Sequence, residues 1–130
     1  MVDRARDHIE HILQAIAHIE EDTAEQTIES FVADRRARQL VERNMEIVSE
    51  AARRLPDELL GTETQMPWND IKGIGNILRH DYDKVRSEVL WDTVVNDIGP
   101  LKAAVARMRS RLLAGEMENN HRMKDRFPAP

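Results

Sequence analysis

The chain has 130 residues, 24 of them acidic against 19 Lys and Arg, a formal net charge of -5 and no cysteine. That length suits one domain around one core, and the missing cysteines exclude a disulfide framework, a thiolate nucleophile and a Cys-based zinc site. The acidic balance argues against a coat protein that holds duplex nucleic acid mainly by neutralising phosphates, although it leaves room for a small RNA site.

Ile9, Ile12, Leu13, Ile16 and Ile19 recur at helical spacing, which predicts an amphipathic helix from residue 3 to about residue 21. Thr23-Ala-Glu-Gln26 resembles a capping box and Thr27 is another candidate cap, so a turn leads into a short helix through Phe31. Asp34 can cap a longer helix in which Leu40, Val41, Met45, Val48, Ala52 and Leu55 fall at spacings of three and four until Pro56 stops it. Pro56-Asp-Glu-Leu-Leu60 reads as one helical turn, and residues 61–67 as a loop. Asn69 or Asp70 is expected to cap the next helix, inside which Gly73 and Gly75 mark close packing or a bend. Val89, Leu90, Trp91, Val94 and Val95 predict another helix, Gly99-Pro100 punctuates the passage to a last one, and Gly115 is its expected stop.

These elements predict an all-α, up-and-down bundle of about four main helices plus short helices over residues 1–114, followed by a polar, flexible tail over 115–130. No apolar run approaches the roughly 20 residues that span a bilayer, and the first residues lack the apolar segment of a signal peptide. The expectation is a cytoplasmic protein with no membrane contact.

Chemistry concentrates in Gly75-Asn-Ile-Leu-Arg-His-Asp-Tyr82, where Asn76 and His80 stand one turn apart on a helix, with Arg79 and Tyr82 reaching its flanks. An imidazole titrates near neutrality and can accept and return a proton, an arginine is a permanently charged fork for phosphate, and an amide can orient either partner. This set suits metal-independent phosphodiester cleavage: His80 takes the proton of a ribose 2′-hydroxyl and Arg79 steadies the charge on phosphorus, leaving a 2′,3′-cyclic phosphate. Tyr82 can bond a phosphate, stack on a base or accept a modification through its phenol, and it equally suits an amphipathic bundle tyrosine.

Elsewhere the residues leave alternatives open. Arg35, Arg36, Arg38, Arg43, Arg53 and Arg54 form either a positive stripe or an ordinary solvated face. Asn44 and Glu50 interrupt the apolar pattern of the long second helix, where Glu50 can orient an arginine or histidine from a facing helix or serve an interhelical hydrogen bond. His8 and His11 have a spacing that can place two imidazoles beside one metal, but no third ligand completes a site, so surface histidines and no bound metal or cofactor are expected. Gly73-Ile-Gly75 begins like a dinucleotide fingerprint, but no strand precedes it and the third glycine is missing.

Asp3-Arg-Ala-Arg-Asp-His-Ile9, Arg43-Asn-Met-Glu-Ile-Val-Ser-Glu-Ala-Ala52, Pro67-Trp68 with Ile71, Gly75-Asn76 through His80-Asp81-Tyr82, and Leu90-Trp91 through Asp97 together resemble the HepT-like branch of the HEPN proteins, from Asp3 to about Val105. The resemblance implies an all-helical homodimer in which two copies of the motif helix line a shared cleft. It also implies a ribonuclease toxin acting on RNA and paired with an MntA-like nucleotidyltransferase antitoxin, which silences it by transferring AMP to the motif tyrosine. By that resemblance His80 is the catalytic histidine, Tyr82 the AMP acceptor and Asn76 the polar helper. The family motif is an arginine, four residues, histidine, one residue, tyrosine, and here its arginine position holds Gly75. Arg79, one turn on, is the candidate substitute. The alternative is a non-catalytic HEPN module that binds RNA, a nucleotide or a nucleotidyltransferase.

Overall fold

A computed structural model describes residues 2–80 and 85–126, with side chains over residues 4–80 and 85–115. The first helix, α1 (Val2–Thr23), buries Ile9, Ile12, Ile16 and Ile19 along one stripe, as their spacing requires. Short helix α2 (Ile28–Ala33) starts at Thr27, whose hydroxyl accepts the Ser30 N–H at 3.1 Å while the Ser30 hydroxyl accepts the Thr27 N–H at 2.8 Å. Asp34 then caps α3 (Arg35–Arg53) by accepting the Ala37 N–H at 3.1 Å, a bond that holds its carboxyl below the usual range.

A four-residue helix, α4 (Asp57–Leu60), leads through a loop to α5 (Trp68–His80). Helices α6 (Ser87–Asn96) and α7 (Ile98–Arg126) complete the chain. Among the described residues the architecture is an up-and-down bundle in which α1, α3, α5, α6 and α7 are the main helices and α2 and α4 are short. Helix α3 is central, packed on α1 to one side and α5 to the other, while α7 packs against α1 and α6. Phe31 of α2 is fully buried with its ring 5.3 Å from that of Trp91 on α6, which ties the two edges of the bundle together. None of the described helices is long and apolar enough to cross a membrane.

Three expectations change. Leu40 belongs to the predicted stripe of α3 but is 48 % exposed, because α1 and α5 claim the faces on which Val41, Met45 and Val48 lie. Helix α5 begins at Trp68 rather than after Asn69 or Asp70: the Pro67 carbonyl accepts the Ile71 N–H at 3.0 Å, and the Trp68 indole N–H is fixed by the carbonyls of Leu60 at 3.1 Å and Glu63 at 3.0 Å. Gly115 does not end α7, which runs on to Arg126. A glycine stop works by adopting a left-handed backbone, and no described glycine has positive φ.

Glu63, in the loop before α5, has a side chain only 3 % exposed and carries the ion pairs that fasten this loop to α7. Its Oε1 accepts from Arg107 Nε at 3.0 Å and Nη2 at 2.6 Å and from Gln65 Nε2 at 2.7 Å, and its Oε2 accepts from Arg111. Hydrogen bonds from Arg107, Gln65 and Arg111 lower its pKa from 4.5 to about 2. A carboxylate depressed on folding contributes stability that is present above its unfolded pKa and is lost as pH falls through the folded one. Acid unfolding should therefore lose stability from about pH 4.5 down to about pH 2, and Glu63→Gln should flatten that limb. An identical acid limb in wild type and variant, followed by circular dichroism, would rule this out.

Candidate functional site

Helix α5 owes its close seat on α3 to the glycine at the motif's first position. Ser49 of α3 is 1 % exposed, and its hydroxyl donates to the Lys72 carbonyl at 2.9 Å while accepting the Gly75 N–H at 3.0 Å. A Cβ on residue 75 would lie 2.9 Å from Ser49 Oγ and 3.1 Å from Ser49 Cβ. The hydroxyl would have to give up both bonds to swing away, so a larger side chain must either break them or push the helices apart.

This contact predicts the sign of a substitution. Alanine is better than glycine inside a helix by about 1 kcal/mol, whereas overpacking a tight contact costs about 1–3 kcal/mol. Gly75→Ala should accordingly lower stability in urea unfolding; a stabilised variant would mean that the Ser49 contact is looser than described.

The same geometry places the nearest cation. Arg79 Nη1 lies 3.4 Å from the position that a Cβ on residue 75 would occupy, so the guanidinium folds back over the bare Gly75 backbone. Arg79 and His80 form the basic last turn of α5, where positive charge suits the helix dipole. Neither makes a hydrogen bond or ion pair with a described residue, and both are exposed. Asn76 is exposed one turn before His80, and on the same helix Ile77 is 48 % exposed. Tyr82 and Asp81 lie outside the described residues.

Arg79 also borders a groove of about 350 Å³ between α1, α3 and α5, shared with His8, His11, Arg43 and Glu50. The structure thus brings Arg79 and Glu50 to one groove, while Asn76 and His80 stand outside its lining. Among the described residues Glu50 bonds no facing helix: its Oε1 accepts from Arg54 Nε at 3.3 Å and Nη2 at 3.1 Å, at the end of its own helix. Asn44 is buried and donates to the Leu40 carbonyl at 2.9 Å, again within α3. The arginine-rich run divides as well. Arg38 donates to Ser87 at 3.0 Å and Arg43 pairs with Glu46 at 3.4 Å, so it is not one uniform stripe. A separate apolar cavity of about 380 Å³ is lined by Met45, Val48, Ile71, Ile74, Ile98 and Leu101 among others, and the described polar residues of the motif, Asn76, Arg79 and His80, are not in its lining.

Ser49 was the residue that sequence reasoning passed over. Its contact with Gly75 joins positions 26 apart in the chain, and only the two glycines in α5 hinted at a close approach.

The family described as ribonuclease HepT-like matches residues 12–108. The "Probable ribonuclease HepT" of Thermococcus cleftensis is 35 % identical over 104 residues, covering 80 % of this chain and 94 % of the relative. A "Putative RNase" of Caldanaerobacter subterraneus subsp. tengcongensis is 32 % identical over 100 residues, covering 77 % and 89 %. Another protein with that name, from Methanocaldococcus jannaschii, is 29 % identical over 87 residues, covering 67 % and 72 %. No solved structure matches.

Proposed function

The chain belongs to the HepT-like ribonuclease family, and from that premise we propose that it is the toxin of a two-component toxin–antitoxin system, a metal-independent endoribonuclease in which Arg79 replaces the missing motif arginine. The observation that carries the reading is the position of the Arg79 guanidinium, 3.4 Å from where the side chain of residue 75 would begin. A cation without an acidic partner among the described residues is available to a phosphate.

In this reading His80 removes the proton of a ribose 2′-hydroxyl, the 2′-oxygen bonds to phosphorus, and the bond to the 5′-oxygen breaks. The products are a 2′,3′-cyclic phosphate and a 5′-hydroxyl, whose oxygen takes up a proton as it leaves. Arg79 stabilises the added negative charge on the phosphoryl oxygens, and Asn76 orients the phosphate or the imidazole. Glu50 acts through Arg54, and Asn44 supports the helix from within. The active form is a homodimer whose motif helices face one another, for which the exposed Ile77 supplies an apolar contact. Transfer of AMP to the Tyr82 phenol by a nucleotidyltransferase partner would block the cleft.

Gly75 favours one other reading, a non-catalytic module that binds RNA, a nucleotide or the nucleotidyltransferase. Growth and total RNA after induction, with and without a co-expressed nucleotidyltransferase, separate the two. Arrest with RNA loss, relieved by the partner, is expected of the toxin; normal growth with intact RNA would leave the binding module.

A further inference from the structure

Two hollows meet where α1 crosses the end of α3. The groove that reaches Arg79 includes His8, His11 and Arg54 in its lining. A second hollow of about 680 Å³ includes the same three residues and extends to Arg4, Asp7 and Pro56. The two hollows border one another along these residues, and we treat them as one channel from the start of α1 to the last turn of the motif helix.

Among the described residues that line the channel, Arg4, Arg43, Arg54 and Arg79 outnumber Asp7, Glu46 and Glu50, before either histidine is protonated, whereas the chain as a whole is acidic. Two of those three acids are engaged, Glu46 with Arg43 at 3.4 Å and Glu50 with Arg54 at 3.1 Å. The His8 and His11 rings lie edge to face with centroids 6.3 Å apart. Burial, then Arg54 and then His11 push the His8 pKa down, so cationic neighbours oppose its charging. An anion between these groups would relieve that opposition. The Arg54 side chain is 62 % exposed, so its guanidinium can meet a strand while still holding Glu50.

We propose that this channel holds the phosphate backbone of single-stranded RNA beside the motif helix, with His8, His11 and Arg54 as its anion-binding residues. The identity of the strand rests on the ribonuclease reading; the existence of the site does not. Phosphates along a single strand engage such a channel by charge and not by base, so affinity should depend on salt and on histidine protonation. It should rise as pH falls through the histidine range. Among the described residues, the fixed charges that set this response are Arg4 and Asp7 on α1, Arg43, Glu46, Glu50 and Arg54 from α3, and Arg79 from α5.

The test uses the full chain with a mixed-sequence, single-stranded 2′-O-methyl oligoribonucleotide, which lacks the 2′-hydroxyl proton and so stays intact. Binding is read by fluorescence anisotropy across a salt series, and the histidine rings by NMR titration. Each phosphate neutralised on a single strand contributes about 0.7 to the slope of log affinity against log salt, so Arg54→Gln should reduce that slope by about 0.7. The oligonucleotide should shift the His8 titration upward, and replacing His8 and His11 together by asparagine should remove the rise in affinity at lower pH. Equal slopes and affinities in wild type and variants, or histidine titrations unmoved at saturation, would overturn the proposal. The same His8 shift with equal affinity from inorganic phosphate would also overturn it, by showing a small-anion site. If His8 replacement unfolds the chain, the exposed Arg54 still decides the question. Oligonucleotide binding with the His8 shift but no cleavage of unmodified RNA would uphold this site and reject the nuclease; cleavage with unmoved histidines would do the reverse.

Discussion

Replacing His80 by alanine is expected to lower RNA cleavage by about 10²–10⁴-fold, the usual contribution of a positioned general base, and to abolish growth arrest on induction. The loss should fall on the chemical step and not on folding, because His80 is exposed, ends α5 and makes no hydrogen bond or ion pair with a described residue. Cleavage rates of purified wild type and His80→Ala, with thermal unfolding curves for both, check the two halves together. A variant that unfolds at the wild-type temperature and cleaves at the wild-type rate would remove His80 from the reaction.

Arg79→Ala is expected to reduce cleavage by about 10²–10³-fold, as loss of one stabilising group at a developing charge does. Arg79→Lys should restore only part of it, since an ammonium keeps the charge but not the planar fork. The informative companion is Gly75→Arg, which rebuilds the family motif in sequence. It should not rescue Arg79→Ala, because a side chain at residue 75 meets Ser49 Oγ at 2.9 Å and forces α5 away from α3. Cleavage by Arg79→Ala at the wild-type rate would refute the substitution of one arginine for the other; full rescue by Gly75→Arg would refute the steric argument.

Much of the bundle was legible because helix periodicity and capping are local. The isoleucine stripe of α1, the Thr27 and Asp34 caps and the Pro56 stop all stand where their spacing or side-chain chemistry puts them. What escaped depends on neighbours. Leu40 satisfies the same three-and-four spacing as Val41, and only the packing of α1 and α5 on α3 decides that one is 48 % exposed and the other buried. Glu63 reads as one polar residue of a loop, yet Arg107 and Arg111 arrive from α7, more than forty positions along the chain, to bury it. Gly115 carries a stop signal with no left-handed turn to use it, so α7 continues.

The site divides in the same way. The run from Asn76 to Tyr82 was readable because it is contiguous, and its resemblance to a family motif made Gly75 conspicuous as a departure. What surrounds the departure was not readable. Ser49 bonds Gly75 from another helix, and Arg79 Nη1 lies 3.4 Å from where a Cβ on residue 75 would stand. His8 and His11 had only their spacing to recommend them, whereas the fold sets them with Arg54 in the wall of a groove that reaches Arg79.

The most direct test of the central claim is cleavage of a single-stranded oligoribonucleotide by the purified protein in excess chelator, with analysis of the product ends. The account requires cleavage at an undiminished rate, giving 2′,3′-cyclic phosphate and 5′-hydroxyl ends. Intact RNA, or cleavage that stops in chelator, would contradict it.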